Sequence, residues 1–329
     1  MSNDGLESWS TLNASWEDIG AENGTDFLTP QDGFDHESSP YNIAAIILDF
    51  LILVISIFGL MGNGTVIWFL GFCMKRNPFT TFILHLAVAD LGALICLCSV
   101  SIMGLLQSPF TILNPYMFLF HLLFRYFFMF MYNTGQYLLT AISMDRCVSV
   151  VFPLWHQCHR PPHFSTLVCA TIWIICFLLT VICWILPNFL LIEDSIFYQL
   201  LMNAILCLPL MTVSTLVLFI KVYFRSQQRK KAKALTAILL ALLFFLFFAF
   251  PYTCILLIFL SNKLVNFSAL FLGLLCSCLN SSVNPLIYFL VGRKKHSRSR
   301  ESLKVIFQRV FKEEEDCRKK EDAQVQTRI

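Results

Sequence analysis

Seven long apolar stretches, each sufficient to cross a lipid bilayer, govern what this 329-residue chain can become. They run from Ile43 to Cys73, Phe82 to Leu106, Tyr116 to Val151, Phe164 to Leu186, Phe197 to Phe224, Ala234 to Leu260 and Phe267 to Val291. A hydrocarbon core about 30 Å thick is crossed at about 1.5 Å per residue, so roughly 20 apolar residues make one spanning helix. A soluble domain of this size could not hide so much apolar side chain: 57% of the residues are hydrophobic, only 14% are charged and 33 are phenylalanine. The expected fold is an all-α membrane protein, a seven-helix bundle over residues 43–291, with an outer tail over 1–42 and an inner tail over 292–329.

Lysine and arginine orient the bundle, because positive loops stay on the cytoplasmic side. The first 74 residues contain neither, while the tail up to Asn42 carries nine carboxylates from Asp4 to Glu37. The loops after the first, third, fifth and seventh stretches hold Lys75 and Arg76, Arg160, Arg225 to Lys233, and Arg293 to Arg300. The intervening loops hold no charge, then Glu193 and Asp194, then Lys263 alone. This alternation places the amino terminus outside and the carboxyl terminus inside, with the first span directing insertion because no cleavable signal precedes it. Asn13 and Asn23 are then exposed glycosylation acceptors, and Asn266 falls in the last outer loop. Asn63 and Asn280 match the same pattern inside spans, where chance or a packing role explains them.

Thirteen cysteines do not make a disulfide scaffold here, because almost none lies in an outer loop. Cys183, near the outer end of the fourth span, is the one candidate for an outer bridge, without an evident partner.

Polar residues inside the spans call for an explanation, since each is costly in hydrocarbon. Asn63, Asp90, Asn133, Asn280, Ser281 and Asn284 are spread over spans one, two, three and seven. Brought together they form a hydrogen-bonded strip; kept apart, each only ties neighbouring helices. Asp90 wants a cation, a proton or several donors, which an ion-coupled transporter would also require. Asp145 and Arg146 end the third span. Arg146 lies thirty residues beyond Tyr116, about 45 Å of ideal helix, and so reaches the inner face, either paired with Asp145 or snorkelling as a boundary arginine.

The pair belongs to a set. GNGTVIW (Gly62 to Trp68), LAVADL (Leu86 to Leu91), SMDRC (Ser143 to Cys147), Trp173, Pro209, Pro251 and NPLIY (Asn284 to Tyr288) follow one another across all seven spans, and together they resemble the rhodopsin-like G-protein-coupled receptors. Longer stretches, RNPFTTFILHLAVAD, YNTGQYLLTAISMDRCVSVVFPLWHQCHRP, SSVNPLIYFLVG and ESLKVIFQRVF, resemble Mas and the Mas-related receptors. The resemblance implies that Arg146 is held by Asp145 at rest and contacts the G-protein α subunit when released. It implies that Asn284, Pro285 and Tyr288 form the mobile inner end of span seven, and that Pro209 and Pro251 let spans five and six bend. It implies a heterotrimeric G protein and an extracellular peptide or small-molecule ligand as partners, with no nucleic acid, no enzyme activity, no cofactor and no metal, and a place in the plasma membrane.

The chain also departs from the class. His121 stands where a bridging cysteine is usual at the outer end of span three, Ala249 where a tryptophan precedes the proline of span six, and Gly135 where a serine accompanies Asp90 at a sodium site. The expected ligand pocket gathers Arg125, His121, Tyr126, Trp184 and Tyr252. Arg125 either meets an acidic ligand or pairs with Asp49, Glu193 or Asp194.

Beyond Gly292, Leu303, Ile306, Phe307, Val310 and Phe311 recur at helical spacing among basic residues, an amphipathic helix over about 299–311 for the inner leaflet. Cys317 after it is a candidate for palmitoylation or a free thiol. His156, Cys158, His159 and His163 crowd one inner loop as either zinc ligands or a basic surface for the transducer. No zinc-protease, P-loop or paired-aspartate pattern accompanies them, and the remaining alternative to a receptor or transporter is a membrane scaffold.

Overall fold

The structure is a computed structural model that describes residues 40–74, 76–106, 115–152, 156, 160–161, 163–189, 195–224, 232–262, 267–292 and 305–306. Each expected span is a helix: α1 Pro40–Trp68, continued by a π-helical turn Phe69–Cys73, then α2 Pro78–Leu105, α3 Pro115–Val151, α4 Phe164–Phe189, α5 Ser195–Phe224, α6 Ala232–Asn262 and α7 Phe267–Gly292. The acceptors Asn13, Asn23 and Asn266, and Cys317, lie outside the described residues.

α2 begins four residues before the apolar stretch that announces it, and a cap is the reason. The Thr80 backbone N–H donates to the Asn77 side chain at 2.7 Å, the Asn77 N–H donates back to the Thr80 hydroxyl at 2.9 Å, and Pro78 occupies the first turn. That arrangement satisfies amide groups a helix start otherwise leaves unpaired, and proline loses nothing there. It also fixes Phe79 in the first turn, where it meets the end of α3.

The helices close on one another: α1 packs on α2 and α7, α2 on α3, α4 and α7, α3 on α4 and α5, and α6 on α5 and α7. One large apolar cluster fills the centre, with Phe82, Leu86 and Leu94 of α2, Leu138 and Ile142 of α3, Leu242 and Phe245 of α6 and Ile287 of α7. More than half of the apolar window of α2 is buried but under a fifth of that of α4, so α2 is central and α4 peripheral. The outward faces remain apolar, as at Phe58, Ile174, Phe177, Met202 and Leu216. Such continuous exposed apolar surface is unfavourable in water and suits lipid.

Among the described residues five helices, α1, α2, α4, α5 and α7, are apolar enough by length and composition alone to cross a membrane. α3 instead buries a polar face, including Asn133, Gln136, Asp145 and Arg146, while α6 has no charged residue from Ala234 to Asn262. Of the stretch 299–311 only 305–306 are described; both are helical, with Val305 exposed and Ile306 buried.

Candidate functional site

α3 carries Asp145 and Arg146 into its last two turns, and there one carboxylate gathers three partners. Arg146 Nη2 lies 3.2 Å from Asp145 Oδ2, Arg160 Nη2 lies 3.0 Å from Oδ1, and His156 Nε2 lies 3.5 Å from Oδ1. Arg160 is itself fixed, because Nη2 donates to the Ser165 hydroxyl at 2.7 Å and Nη1 lies 3.1 Å from His156 Nε2. The Arg146 guanidinium also sits 4.3 Å from the centre of the Phe79 ring, whose face attracts a cation. The Asp145 side chain is only 5% exposed, so these charges rely on one another rather than on solvent. His156 is turned onto Asp145. His163 is exposed, and Cys158 and His159 lie outside the described residues.

A small cavity lies next to this cluster, lined by Phe79, Ile83, Leu139, Ile142, Ala241, Leu242 and Tyr288. It lies between α2 and α3 on one side and α6 and α7 on the other. Pro209, Pro251 and Pro285 lie inside α5, α6 and α7. Each removes one helical hydrogen bond, the usual cause of a bend in a helix.

Deeper in the bundle the polar strip is real but shorter than its sequence pattern. Asn284 donates to Asp90 Oδ2 at 2.8 Å, and Ser281 also hydrogen-bonds that carboxylate. Asn63 donates to the carbonyls of Gly59 and Ser281, each at 3.0 Å, tying α1 to α7. Gly59 allows the approach, since a Cβ there would strike Ser282 and Leu94. Asn280 is buried nearby on α7. Asn133 does not join this strip. It faces α5, where Asn203 donates to it at 2.7 Å and accepts from the Tyr137 hydroxyl at 2.6 Å. A helix side chain serves the face it points to, and the face of Asn133 is the α3–α5 seam. Gly135 opens toward Asp90 Oδ1, its Cβ direction ending 3.8 Å away, and brings no side-chain oxygen.

In the outer half, Arg125 is exposed and within electrostatic reach of Tyr252. Tyr252 is buried, edge-on to Phe128 and Tyr132 at ring separations of 6.1 and 5.1 Å. Tyr126 packs on the Met129–Leu200 pair, while His121 and Trp184 are exposed. Asp49 is not the partner of Arg125: it is buried, hydrogen-bonded to Ser101, and fits because Gly104 has no side chain. Glu193 and Asp194 lie outside the described residues, and among those described no carboxylate pairs with Arg125. Cys183 is buried and forms no disulfide among the described residues.

Residues 62–288, reaching from the Gly62 turn of α1 to Tyr288, match the family described as 7 transmembrane receptor (rhodopsin family). The chain belongs to that family. The mouse "Proto-oncogene Mas" is 36% identical over 293 residues, covering 84% of this chain and 86% of that protein. The rat "Mas-related G-protein coupled receptor member H" is 38% identical, covering 79% and 82%, and the Macaca fascicularis "Mas-related G-protein coupled receptor member D" is 36% identical, covering 84% and 88%. The chain is thus a multi-pass membrane receptor of the Mas-related kind, one that answers a ligand by activating a G protein.

Several residues that shape the receptor's site have no mark in the sequence. Arg160 and Ser165 read as loop and helix-start residues, and Phe79 as one phenylalanine among 33. Asn203 and Tyr137 are single polar residues in apolar runs, a weak signal that intramembrane polarity could have raised. His85 accepts from the Trp173 indole at 3.1 Å, a contact that only the approach of α2 to α4 creates.

Proposed function

We propose that Asp145 and Arg146 form the coupling switch of this receptor and that Arg125, with Tyr252, recognises its ligand. At rest the carboxylate holds Arg146; released, the guanidinium engages the C-terminal helix of a G-protein α subunit. Asn284, Pro285 and Tyr288 carry the movement at the inner end of α7, and Pro209 and Pro251 supply bends in α5 and α6. The network of Asn63, Asp90, Asn280, Ser281 and Asn284 keeps α1, α2 and α7 in register while the inner ends part. One observation supports this reading above the others: a nearly fully buried carboxylate bears the arginine at a helix end whose neighbours border a cavity.

The ligand is a peptide or small molecule with an acidic group, because an exposed intramembrane cation calls for a negative partner. His121, Tyr126 and Trp184 line the approach to it. The amino terminus is extracellular and the carboxyl terminus cytoplasmic in the plasma membrane, with glycans on Asn13 and Asn23. The helix over about 299–311 lies on inner-leaflet lipid, with Cys317 palmitoylated behind it. Asp90 is answered by Asn284 and Ser281, so no coupled ion is needed to account for it.

The test is G-protein dissociation in cells expressing the chain, resting and challenged with acidic peptides, beside Arg146→Ala. Loss of the signal in the variant at equal surface level is the expected result. A signal that survives the substitution removes Arg146 from the coupling path.

A further inference from the structure

Asp145 offers two oxygens, and the structure divides them. Oδ2 faces Arg146, while Oδ1 faces Arg160 and His156. Arg160 is the shorter of the two arginine contacts, 3.0 Å against 3.2 Å, and it is anchored from outside α3. Ser165, the second residue of α4, accepts from Nη2, and His156 meets Nη1. The Arg146 guanidinium lies on the Phe79 ring of α2. Two like charges therefore compete for one carboxylate, and the one fixed to the loop and α4 does not leave when α3 and α6 part.

We propose that Arg160 is a positioning residue that sets how firmly Asp145 holds Arg146, and with it the resting activity of the receptor. This rests on the reading of Asp145 and Arg146 as the switch. Two physical effects act in the same direction. Arg160 neutralises much of the carboxylate charge that would otherwise attract Arg146, and its own charge repels Arg146 within a poorly solvated cluster. Arg160 also keeps Asp145 paired after Arg146 has gone, so the active state contains no orphaned buried carboxylate. A single ion cluster thus contains a holder and a loosener of the same arginine. Asp145 favours the resting state; Arg160 favours release.

The opposite signs make the proposal testable. Asp145→Asn, Arg160→Gln, Arg160→Lys and the double variant Asp145→Asn/Arg160→Gln are expressed as full chains at matched surface levels. Resting G-protein dissociation is read with G protein titrated until the wild-type signal stands clear of mock-transfected cells. Asp145→Asn is expected to raise the resting signal several-fold and Arg160→Gln to lower it several-fold. Arg160→Lys, which keeps the charge, restores most of the wild-type level. The double variant behaves as Asp145→Asn, because Arg160 acts through that carboxylate. A structural role for Arg160 would lower surface level and maximal response together and would not vanish when Asp145 is gone. The proposal is overturned if Arg160→Gln raises the resting signal or leaves it unchanged, or if its effect persists in the double variant. An unchanged signal in Asp145→Asn would instead sink the switch reading itself.

Discussion

At the inner end of α3 one carboxylate meets Arg146, Arg160 and His156 within 3.5 Å, whereas in the outer half of the same helix Arg125 stands exposed with no carboxylate beside it among the described residues. The outer half holds a carboxylate, Asp49, but it is turned into the α1–α2 contact against Ser101 and Gly104. The inner end supplies its own counter-charges; among the described residues the arginine of the outer half has none. On the proposed reading, the end with internal ion contacts is the one a transducer would open, and the end with the exposed arginine is the one a ligand would meet.

The sharpest way to break the comparison is to remove one arginine from each end. Arg146→Ala is expected to abolish G-protein activation at every ligand concentration, whereas Arg125→Ala should shift the potency of an acidic agonist by tenfold or more while a saturating dose still activates. Dose–response curves at equal surface level would show it, and equal loss of maximal response in both variants would erase the distinction.

The two carboxylates should differ in stability. Asp145→Ala removes the carboxylate that the Arg146 and Arg160 guanidinium groups share and should cost about 3 kcal/mol, because breaking a buried ion pair is worse than never having made it. Asp49→Asn removes a buried charge that has no described cation and should leave the thermal midpoint of the purified receptor unchanged or higher. A large drop for Asp49→Asn would reveal a cationic partner.

Smaller effects test the supports of each half. Tyr137→Phe orphans one acceptor on Asn203 in the α3–α5 seam and should cost about 1 kcal/mol by thermal unfolding. Asn77→Ala removes the α2 cap and should cost about 1 kcal/mol as well, with a change in resting signal because Phe79 beneath Arg146 loses its fixed first turn. No change in signalling would separate the cap from the switch.

The polar strip shows where sequence reading reaches and where it stops. Asn63, Asp90, Ser281 and Asn284 were legible because each interrupts an apolar run, and their helices do meet. Asn133 interrupts α3 in the same way yet joins Asn203 instead. Spacing along one helix cannot say which neighbour a side chain faces. The cluster on Asp145 shows the same limit: Asp145 and Arg146 are adjacent in sequence and could be paired on paper, but Arg160 and Ser165 come from the next loop and helix.

The sequence alone determined the helices, their number and their environment, because apolar length against bilayer thickness and the need to satisfy every backbone group leave almost no alternative. Its local signals also placed α2 within a turn, with Asn77 and Pro78 deciding the rest. The tertiary structure alone decided which charges share a carboxylate, that Asp49 turns away from Arg125, and that Asn133 serves α5. Those outcomes depend on helix rotation and crossing, which many weak packing contacts fix together and no single stretch of residues encodes.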